Sequence, residues 1–222
     1  MYSVFIPAVI VAYLLGSIPF GLLIAKAHGK DLRAVGSGNI GATNVARALG
    51  RRWAYLCFAL DMLKGLAPML ATMVLARVFF TKSQNASVTG LLLWLVVGCA
   101  AILGHIFPIY LKFKGGKGVA TSLGVALGLW PYYTICALVA FVVWIVMLLW
   151  RRYVSLASIG ASVAFPTTLT VAIILSPGWN VADLWPLLIG ATAIPLAVVI
   201  RHRENIKRLR AGTESKVLST VK

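Results

Sequence analysis

The sequence is poor in acidic residues, and this sets the first limit on function. Five Asp and Glu residues stand against 21 Lys and Arg residues in a chain of 222, for a formal net charge of +16 at pH 7. There are only three cysteines and three histidines, and no cluster of Cys, His, Asp or Glu has metal-ligand spacing. We therefore expect no disulfide framework, no metal site and no bound cofactor.

Polar sequence is also scarce. Hydrophobic residues make up 60% of the chain and charged residues 12%, which is far too apolar for an ordinary soluble domain. Most apolar runs approach the ~20 residues that a membrane-spanning helix needs; they cover residues 3–25, 53–79, 88–111, 119–130, 132–150, 156–175 and 183–200. We predict an all-α polytopic membrane protein with seven transmembrane helices, formed by residues 1–222 as a single integral-membrane domain.

The fourth apolar run is short. About a dozen residues at 1.5 Å each reach roughly 18 Å, less than the ~30 Å hydrocarbon core, so helix four is short, half-inserted or buried in protein. Gly124 and Gly128 form a GxxxG pair on it. Such a pair suits close packing against a helix of the same chain or of another copy.

Basic residues fall almost entirely in the loops on one side of this arrangement. Eighteen of the 21 lysines and arginines lie there, and only Lys82 is clearly on the other side. The positive-inside rule then predicts an external N-terminus and a cytoplasmic C-terminus. A basic cytoplasmic face suits anionic lipid headgroups and phosphorylated metabolites, so the net charge does not call for nucleic acid.

A loop rich in glycine and lysine, residues 112–118 (KFKGGKG), separates two apolar runs. Glycines allow backbone N–H groups to approach a ligand, lysines supply charge, and a helix N-terminus is expected to follow, so the loop suits a phosphate. It is not a Walker A motif, because Leu111 replaces the first glycine and Gly118 replaces the Ser or Thr after the lysine. A topology-setting cytoplasmic turn is the alternative.

Residues 36–47 (GSGNIGATNVAR) form a second polar block. Its small residues expose backbone N–H groups, its Ser, Thr and Asn side chains offer hydrogen bonds, and the guanidinium of Arg47 can bind a phosphate bidentately. A flexible connector with an interfacial helix is the alternative interpretation.

Two further blocks, residues 151–158 (RRYVSLAS) and 201–214 (RHRENIKRLRAGTE), follow predicted helices five and seven. In the first, Ser155 and Ser158 share one helix face, although serines in membrane helices often bond their own backbone. In the second, His202 and Asn205 share a face that can look toward the protein while basic residues face lipid. A basic helix that only binds headgroups is the alternative.

Charged residues also occur inside the apolar runs. Asp61 and Lys64 stand at i and i+3 on the second run, where they can neutralise one another, and His105 lies about two turns before Lys112. We interpret Asp61 and Lys64 as scaffold rather than as catalysts and leave the role of His105 open.

These four blocks resemble the signature segments of the bacterial acyl-phosphate:glycerol-3-phosphate acyltransferases, the PlsY family. The resemblance extends to YLLGSIP at residues 13–19 and DMLKG at residues 61–65, in the same order along the chain. It implies a seven-helix enzyme of the bacterial inner (cytoplasmic) membrane, with its active site facing the cytoplasm. The implied reaction moves a fatty acyl group from acyl phosphate to the sn-1 hydroxyl of glycerol 3-phosphate, giving lysophosphatidic acid and inorganic phosphate.

Residue chemistry and this resemblance together predict the site. Lys117 and the loop glycines, with Ser37, are expected to bind acyl phosphate, while Arg47, Asn205 and His202 hold glycerol 3-phosphate and Ser158 orients one of these groups. The expected catalytic residues are Lys117, Arg47, His202, Asn205 and Ser158, and the expected substrate-binding residues are Ser37, Gly38, Asn39, Asn44, Lys112, Lys114, Gly115, Gly116, Gly118 and Thr121. Either His202 or a substrate phosphate oxygen accepts the hydroxyl proton.

The expected partners are therefore acyl phosphate, glycerol 3-phosphate and membrane lipid, with no nucleic acid. The main alternative is a transporter or channel for phosphorylated metabolites, but the sequence has no internal repeat and its polar blocks gather on one face. A noncatalytic scaffold for anionic lipid would explain the basic tail but not residues 37–47.

Overall fold

The computed structural model describes residues 2–79 and 87–217 of the chain. This part contains ten α-helices and no β-strand. The helices are α1 (Tyr2–Gly16), α2 (Phe20–Ala27), α3 (Ala42–Leu49), α4 (Arg51–Phe79), α5 (Val88–Ile106), α6 (Val119–Gly128), α7 (Tyr132–Arg151), α8 (Val154–Leu175), α9 (Val181–Arg201) and α10 (Arg203–Arg210). The all-α prediction is confirmed for these residues, and Lys82, used in the topology argument, lies outside them.

Two compact units make up the chain, Met1–Leu129 and Trp130–Lys222. The first contains α1 to α6, with α4 packed against α1, α3, α5 and α6. The second contains α7 to α10, with α8 packed against both α7 and α9. The single integral-membrane domain stays a prediction.

Six segments in the described part are long and apolar enough to cross a membrane: Ser3–Ala27, Arg51–Ala76, Val88–Leu111, Tyr132–Arg151, Val154–Leu175 and Val181–Arg201. They correspond to six of the seven predicted spans. The fourth predicted span is α6, which has 10 residues and is therefore short, as expected. Whether α6 makes a seventh crossing stays a prediction, as does the orientation of the termini.

The first predicted span is not one continuous helix. It breaks at residues 17–19 into α1 and α2, because Pro19 has no N–H to donate and disfavours helical geometry in the residue before it. The carbonyl of Ile18, at the break, accepts a hydrogen bond from Lys64 Nζ at 2.8 Å. A buried lysine of α4 thus bonds to a backbone carbonyl at the point where the helix is interrupted.

Small residues bring the helices of the first unit very close together. A Cβ placed on Gly124 of α6 would lie 2.0 Å from the carbonyl oxygen of Met62 on α4, and one placed on Gly128 would lie 2.5 Å from Cβ of Met69. The GxxxG pair therefore packs within the chain, which decides between the two alternatives left open by the sequence. A glycine also allows α5 to pack closely against α1, since a Cβ on Gly104 would lie 2.3 Å from the Tyr13 carbonyl oxygen.

Candidate active site

The segment between α2 and α3 takes its shape from Asn44. This side chain is 1% exposed. Its Nδ2 donates to the carbonyls of Leu32 and Val35 at 2.9 Å each, and its Oδ1 accepts from the N–H of Ser37 at 3.2 Å. The amide of Asn44 thus shapes the backbone on which Ser37 stands. The predicted contact of Asn44 with substrate stays a prediction.

Arg47 lies one helical turn after Asn44 and covers the glycine that precedes Ser37. A Cβ on Gly36 would lie 3.0 Å from Arg47 Cδ and 2.6 Å from Asn44 Oδ1, and Gly36 has a φ of +56°, so only glycine fits both the space and the backbone. Arg47 and Ser37 are themselves exposed. The Arg47 side chain thus lies against the residue that precedes Ser37, at the surface of the first unit.

The neighbouring residues Gly38 and Asn39 complete this turn. Gly38 donates its N–H to the Val35 carbonyl at 3.0 Å, and the Asn39 side chain accepts the N–H of Gly41 at 3.0 Å. Both residues were predicted to bind substrate. The contacts described here are internal to the turn, and binding by these two residues stays a prediction.

The glycine-lysine loop uses most of its own N–H groups to hold its shape. Phe113 donates to the Pro108 carbonyl at 3.0 Å and Lys114 donates to Leu111 at 3.1 Å. The N–H groups of Gly115 and Gly116 donate to the carbonyls of Ile106 and His105 at 3.2 and 3.0 Å. The two glycines therefore pack the loop against the end of α5, and their N–H groups already donate inside the protein.

Lys117 and Gly118 lead directly into α6. Gly118 is the residue before the helix and has a φ of +86°, a conformation that favours glycine. The helix begins at Val119, as the sequence predicts, and its first N–H groups have no acceptor within the helix. Lys117 is half-buried, whereas Lys112 and Lys114 are exposed. An ammonium group next to a helix N-terminus is a suitable environment for a phosphate.

Thr121 is fully buried, with 0% exposure. Its hydroxyl donates to the carbonyl of Asp61 on α4 at 3.0 Å. The side chain thus ties α6 to α4, and the predicted contact of Thr121 with substrate stays a prediction.

One hydrogen bond joins the two polar blocks of the first unit. Nη2 of Arg33, in the segment before α3, donates to the carbonyl of Lys114 at 3.1 Å. The segment that carries Ser37 and the loop that carries Lys117 are therefore neighbours in the folded unit. Arg33 was not singled out from the sequence, since nothing local distinguishes it from the other basic residues.

Three ionisable side chains, those of Asp61, Lys64 and His105, are buried close to one another near the glycine-lysine loop. Asp61 Oδ1 is 2.7 Å from Lys64 Nζ and 3.7 Å from His105 Nδ1, and these side chains are between 3% and 5% exposed. The prediction that Asp61 and Lys64 neutralise one another is confirmed. None of the three was predicted to touch substrate.

In the second unit, Glu214 organises the segment after α10. Its Oε1 accepts from Ser155 Oγ at 2.8 Å and from Asn205 Nδ2 at 2.6 Å, and its Oε2 accepts from Arg208 Nε at 2.7 Å. Burial raises the pKa of this carboxyl, but the hydrogen bonds from Asn205, Arg208 and Ser155 outweigh it and hold the pKa below its ordinary value. No role was predicted for Glu214, the last residue of the block at 201–214.

His202 and Asn205 are buried in the second unit, at 2% and 8% exposure. The structure has a helix here, α10, which begins at Arg203, so His202 lies at the junction of α9 and α10 and Asn205 lies in the first turn of α10. Nδ1 of His202 lies 2.8 Å from the carbonyl of Val198. Because a carbonyl can only accept, Nδ1 carries the proton, and in the neutral ring the lone pair is on Nε2.

Ser158 is 1% exposed, and its hydroxyl has different hydrogen-bond partners from that of Ser155. Its hydroxyl donates to the Val154 carbonyl at 2.9 Å and accepts from Trp144 Nε1 at 3.2 Å. The two serines share a face of α8, but Ser155 bonds to Glu214 while Ser158 bonds to α7. These contacts are structural, and an orienting role for Ser158 stays a prediction.

Known proteins resemble this chain over nearly its full length. A family model described as glycerol-3-phosphate acyltransferase matches residues 6–212. The glycerol-3-phosphate acyltransferase of Aquifex aeolicus (strain VF5) is 48% identical over 207 residues, covering 93% of this chain and 95% of that protein. That of Geotalea daltonii is 49% identical over 208 residues, covering 93% and 94%.

Solved structures agree with these relatives. The crystal structure of PlsY (YgiH), an integral membrane glycerol 3-phosphate acyltransferase, in its glycerol 3-phosphate form is 45% identical, with a TM-score of 0.80 over 96% of this chain and 95% of that one. The lysophosphatidic acid form of PlsY is 44% identical, with a TM-score of 0.77 over 96% and 94%.

Proposed function

Because the chain belongs to the glycerol-3-phosphate acyltransferase family, we propose that it transfers a fatty acyl group from acyl phosphate to the sn-1 hydroxyl of glycerol 3-phosphate. The products are lysophosphatidic acid and inorganic phosphate. The enzyme is an integral membrane protein, and we place it in the bacterial cytoplasmic (inner) membrane with its active site facing the cytoplasm.

The observation that carries this proposal is that two segments predicted to bind anions are joined in the first unit. Arg33 links the turn of Ser37 to the loop of Lys117. Arg47 and Ser37 offer a guanidinium and a hydroxyl, while Lys117 stands next to the N-terminus of α6. Both proposed substrates carry phosphate, so two separate groups of donors are what the reaction requires.

In the proposed reaction, the hydroxyl oxygen of glycerol 3-phosphate attacks the acyl carbon and the bond from that carbon to the phosphate oxygen breaks. Lys117 and the N-terminus of α6 stabilise the charge on the departing phosphate, and Arg47 holds the phosphate of glycerol 3-phosphate. Acyl phosphate is already activated, so positioning and charge stabilisation can supply most of the rate.

The hydroxyl proton goes either to His202 or to a substrate phosphate oxygen. Nε2 of the neutral His202 ring has a lone pair suited to a general base. Asn205 and Ser158 keep their predicted roles in binding and orientation. For the loop, the internal hydrogen bonds of Gly115 and Gly116 shift the proposed anion donors toward Gly118 and the first turn of α6.

One assay tests the donor, the acceptor and the product together. Purified enzyme receives acyl phosphate and glycerol 3-phosphate, and both phosphate release and a new lysolipid are measured. We expect equal amounts of the two, the acyl chain on the sn-1 oxygen, and no product from acyl-CoA. Phosphate without lysolipid would indicate hydrolysis, and activity with acyl-CoA alone would contradict the proposed donor.

A further inference from the structure

The buried group formed by Asp61, Lys64 and His105 has no place in the reaction proposed above. Ionisable side chains inside a membrane-spanning region carry a large desolvation cost and are usually retained for a function. Asp61 and Lys64 form an ion pair at 2.7 Å, which explains their own coexistence. It does not explain why a third ionisable side chain, His105, stands 3.7 Å from the same carboxylate oxygen.

His105 contacts the glycine-lysine loop through both its backbone and its ring. Its carbonyl accepts the N–H of Gly116 at 3.0 Å. A Cβ added to Gly116 would lie 2.1 Å from Nε2 of the ring, and one added to Gly115 would lie 2.2 Å from the His105 carbonyl oxygen. The imidazole therefore lies between Asp61 on one side and the residue before Lys117 on the other.

The segment that follows Lys117 is fixed by the same aspartate. Thr121 donates its hydroxyl to the Asp61 carbonyl at 3.0 Å, and a Cβ on Gly65 of α4 would lie 2.3 Å from the Thr121 carbonyl oxygen. The residues on both sides of Lys117 are therefore held in place. His105 contacts Gly116 before it, and the Asp61 carbonyl accepts a hydrogen bond from Thr121 in the first turn of α6 after it. Lys64 extends the connection to the break between α1 and α2 through the Ile18 carbonyl.

We propose that His105 is a positioning residue for Lys117: it connects the Asp61–Lys64 ion pair to Gly116 and so fixes the loop that binds acyl phosphate. Lys117 must be placed accurately, because an ammonium group acts on a phosphate only over a few ångströms and small displacements are costly. Apolar packing alone would fix the position of the loop less accurately. The proposal rests on the proposed function of Lys117. It adds that the buried charges serve the donor site.

The test compares His105→Leu with His105→Gln. Leucine fills similar space without polarity, whereas glutamine keeps a polar group that can face Asp61. In His105→Leu we expect kcat to fall at least 10-fold and KM for acyl phosphate to rise, with KM for glycerol 3-phosphate unchanged. His105→Gln should recover most of the lost activity.

Leu91→Ala is the matched control, because Leu91 is 1% exposed on the same helix and lies four turns away from His105. It should lower the melting temperature without changing either KM. Hydrogen exchange supplies a readout that does not depend on activity: amides of residues 113–118 should exchange faster in His105→Leu, with α7 to α9 unaffected.

Wild-type kinetics and wild-type exchange in His105→Leu would overturn the positioning role while leaving the proposed function intact. An equal rise of both KM values would also overturn it. If His105→Leu does not fold, His105→Met, which also removes the polar ring, takes its place and is judged by the same kinetic and exchange criteria. Activity retained in Lys117→Ala would instead contradict the function on which this proposal rests.

Discussion

At the scale of single residues, similar side chains have very different surroundings. Lys112 and Lys114 are exposed, whereas Lys117 is half-buried beside the start of α6. Lys117 also lies next to the N-terminus of α6, where a phosphate is favoured. We therefore assign the chemistry of the loop to Lys117 and a weaker attraction of anions to the other two lysines.

Replacing Lys117 with alanine should lower kcat by about 100-fold or more, the usual effect of removing one donor to a developing anion. The detergent-extracted variant should keep the melting temperature of the wild type. Lys30→Ala, which removes an equal charge from an exposed position, is the control and should stay active. Near-normal turnover in Lys117→Ala would refute the assignment.

Arg47→Lys keeps the positive charge and removes the planar guanidinium group with its parallel N–H donors. We expect KM for glycerol 3-phosphate to rise about 10-fold, since a lysine cannot bind a phosphate through two parallel hydrogen bonds. KM for acyl phosphate should change little. Steady-state kinetics with each substrate varied in turn distinguish this result from a general loss of folding, which would lower the amount of active enzyme without affecting either KM.

At the scale of elements, the ends of helices are held by contacts made with distant segments. The segment after α10 returns to α8 through Glu214 and Ser155, and the N–H of Val217 donates to the Arg152 carbonyl at 2.7 Å. The same carboxylate holds Asn205 on α10. One buried acid thus sets the position of a predicted catalytic residue.

Glu214→Gln should loosen this segment and lower the melting temperature at neutral pH. The folded-state pKa of Glu214 lies below its ordinary value of 4.5, so the stabilisation from its carboxylate is present above that pH and is lost as pH falls through the folded-state value. The difference in melting temperature between wild type and Glu214→Gln should therefore shrink below about pH 4.5. A difference that stays constant down to pH 3 would contradict the assignment.

Gly124→Ala tests the packing of α6 on α4. The added methyl group would lie 2.0 Å from the Met62 carbonyl oxygen, so the helices must separate, at a cost of about 1–3 kcal/mol. Gly90→Ala on α5 is the control. Its nearest neighbour, 3.3 Å away, is the side-chain hydroxyl of Ser87, which needs to shift by only a few tenths of an ångström, and alanine favours a helix. Thermal unfolding should show a clear loss for Gly124→Ala and none for Gly90→Ala.

At the scale of the whole molecule, the open question is the number of crossings. Six segments of the described part suit a membrane span, and a crossing by the short α6 would give seven. An odd number puts the two ends of the chain on opposite sides, whereas six would put them on the same side. The positive charges favour the odd number, because otherwise the basic loops would be divided between the two faces.

Cysteine labelling decides this question. In a chain whose three cysteines are replaced by alanine, Ser3→Cys should react with an impermeant maleimide in right-side-out vesicles. Ser215→Cys should react only after the membrane is permeabilised. Both positions are exposed, so the membrane alone protects them. Reaction of both on the same side would refute seven crossings.

The amino-acid sequence by itself determined the class of protein, the long apolar helices and the blocks to which we assign the chemistry. These follow from local properties: apolar length decides which segments enter a membrane, and glycine, lysine and arginine in a short block predict an anion site. The exception, the break at Pro19, arises because one residue interrupts a helix that hydropathy alone describes as continuous.

Only the tertiary structure decided which of the predicted groups form hydrogen bonds inside the protein and which stay exposed. Arg33 meets Lys114 across 81 residues, Ser155 meets Glu214 across 59, and Thr121 meets Asp61 across 60. No sequence pattern specifies such pairs, because a hydrogen-bond partner is chosen by the packing of the helices. That packing directs Asn44, Thr121 and the N–H groups of Gly115 and Gly116 into the protein, and leaves Arg47 exposed beside Ser37.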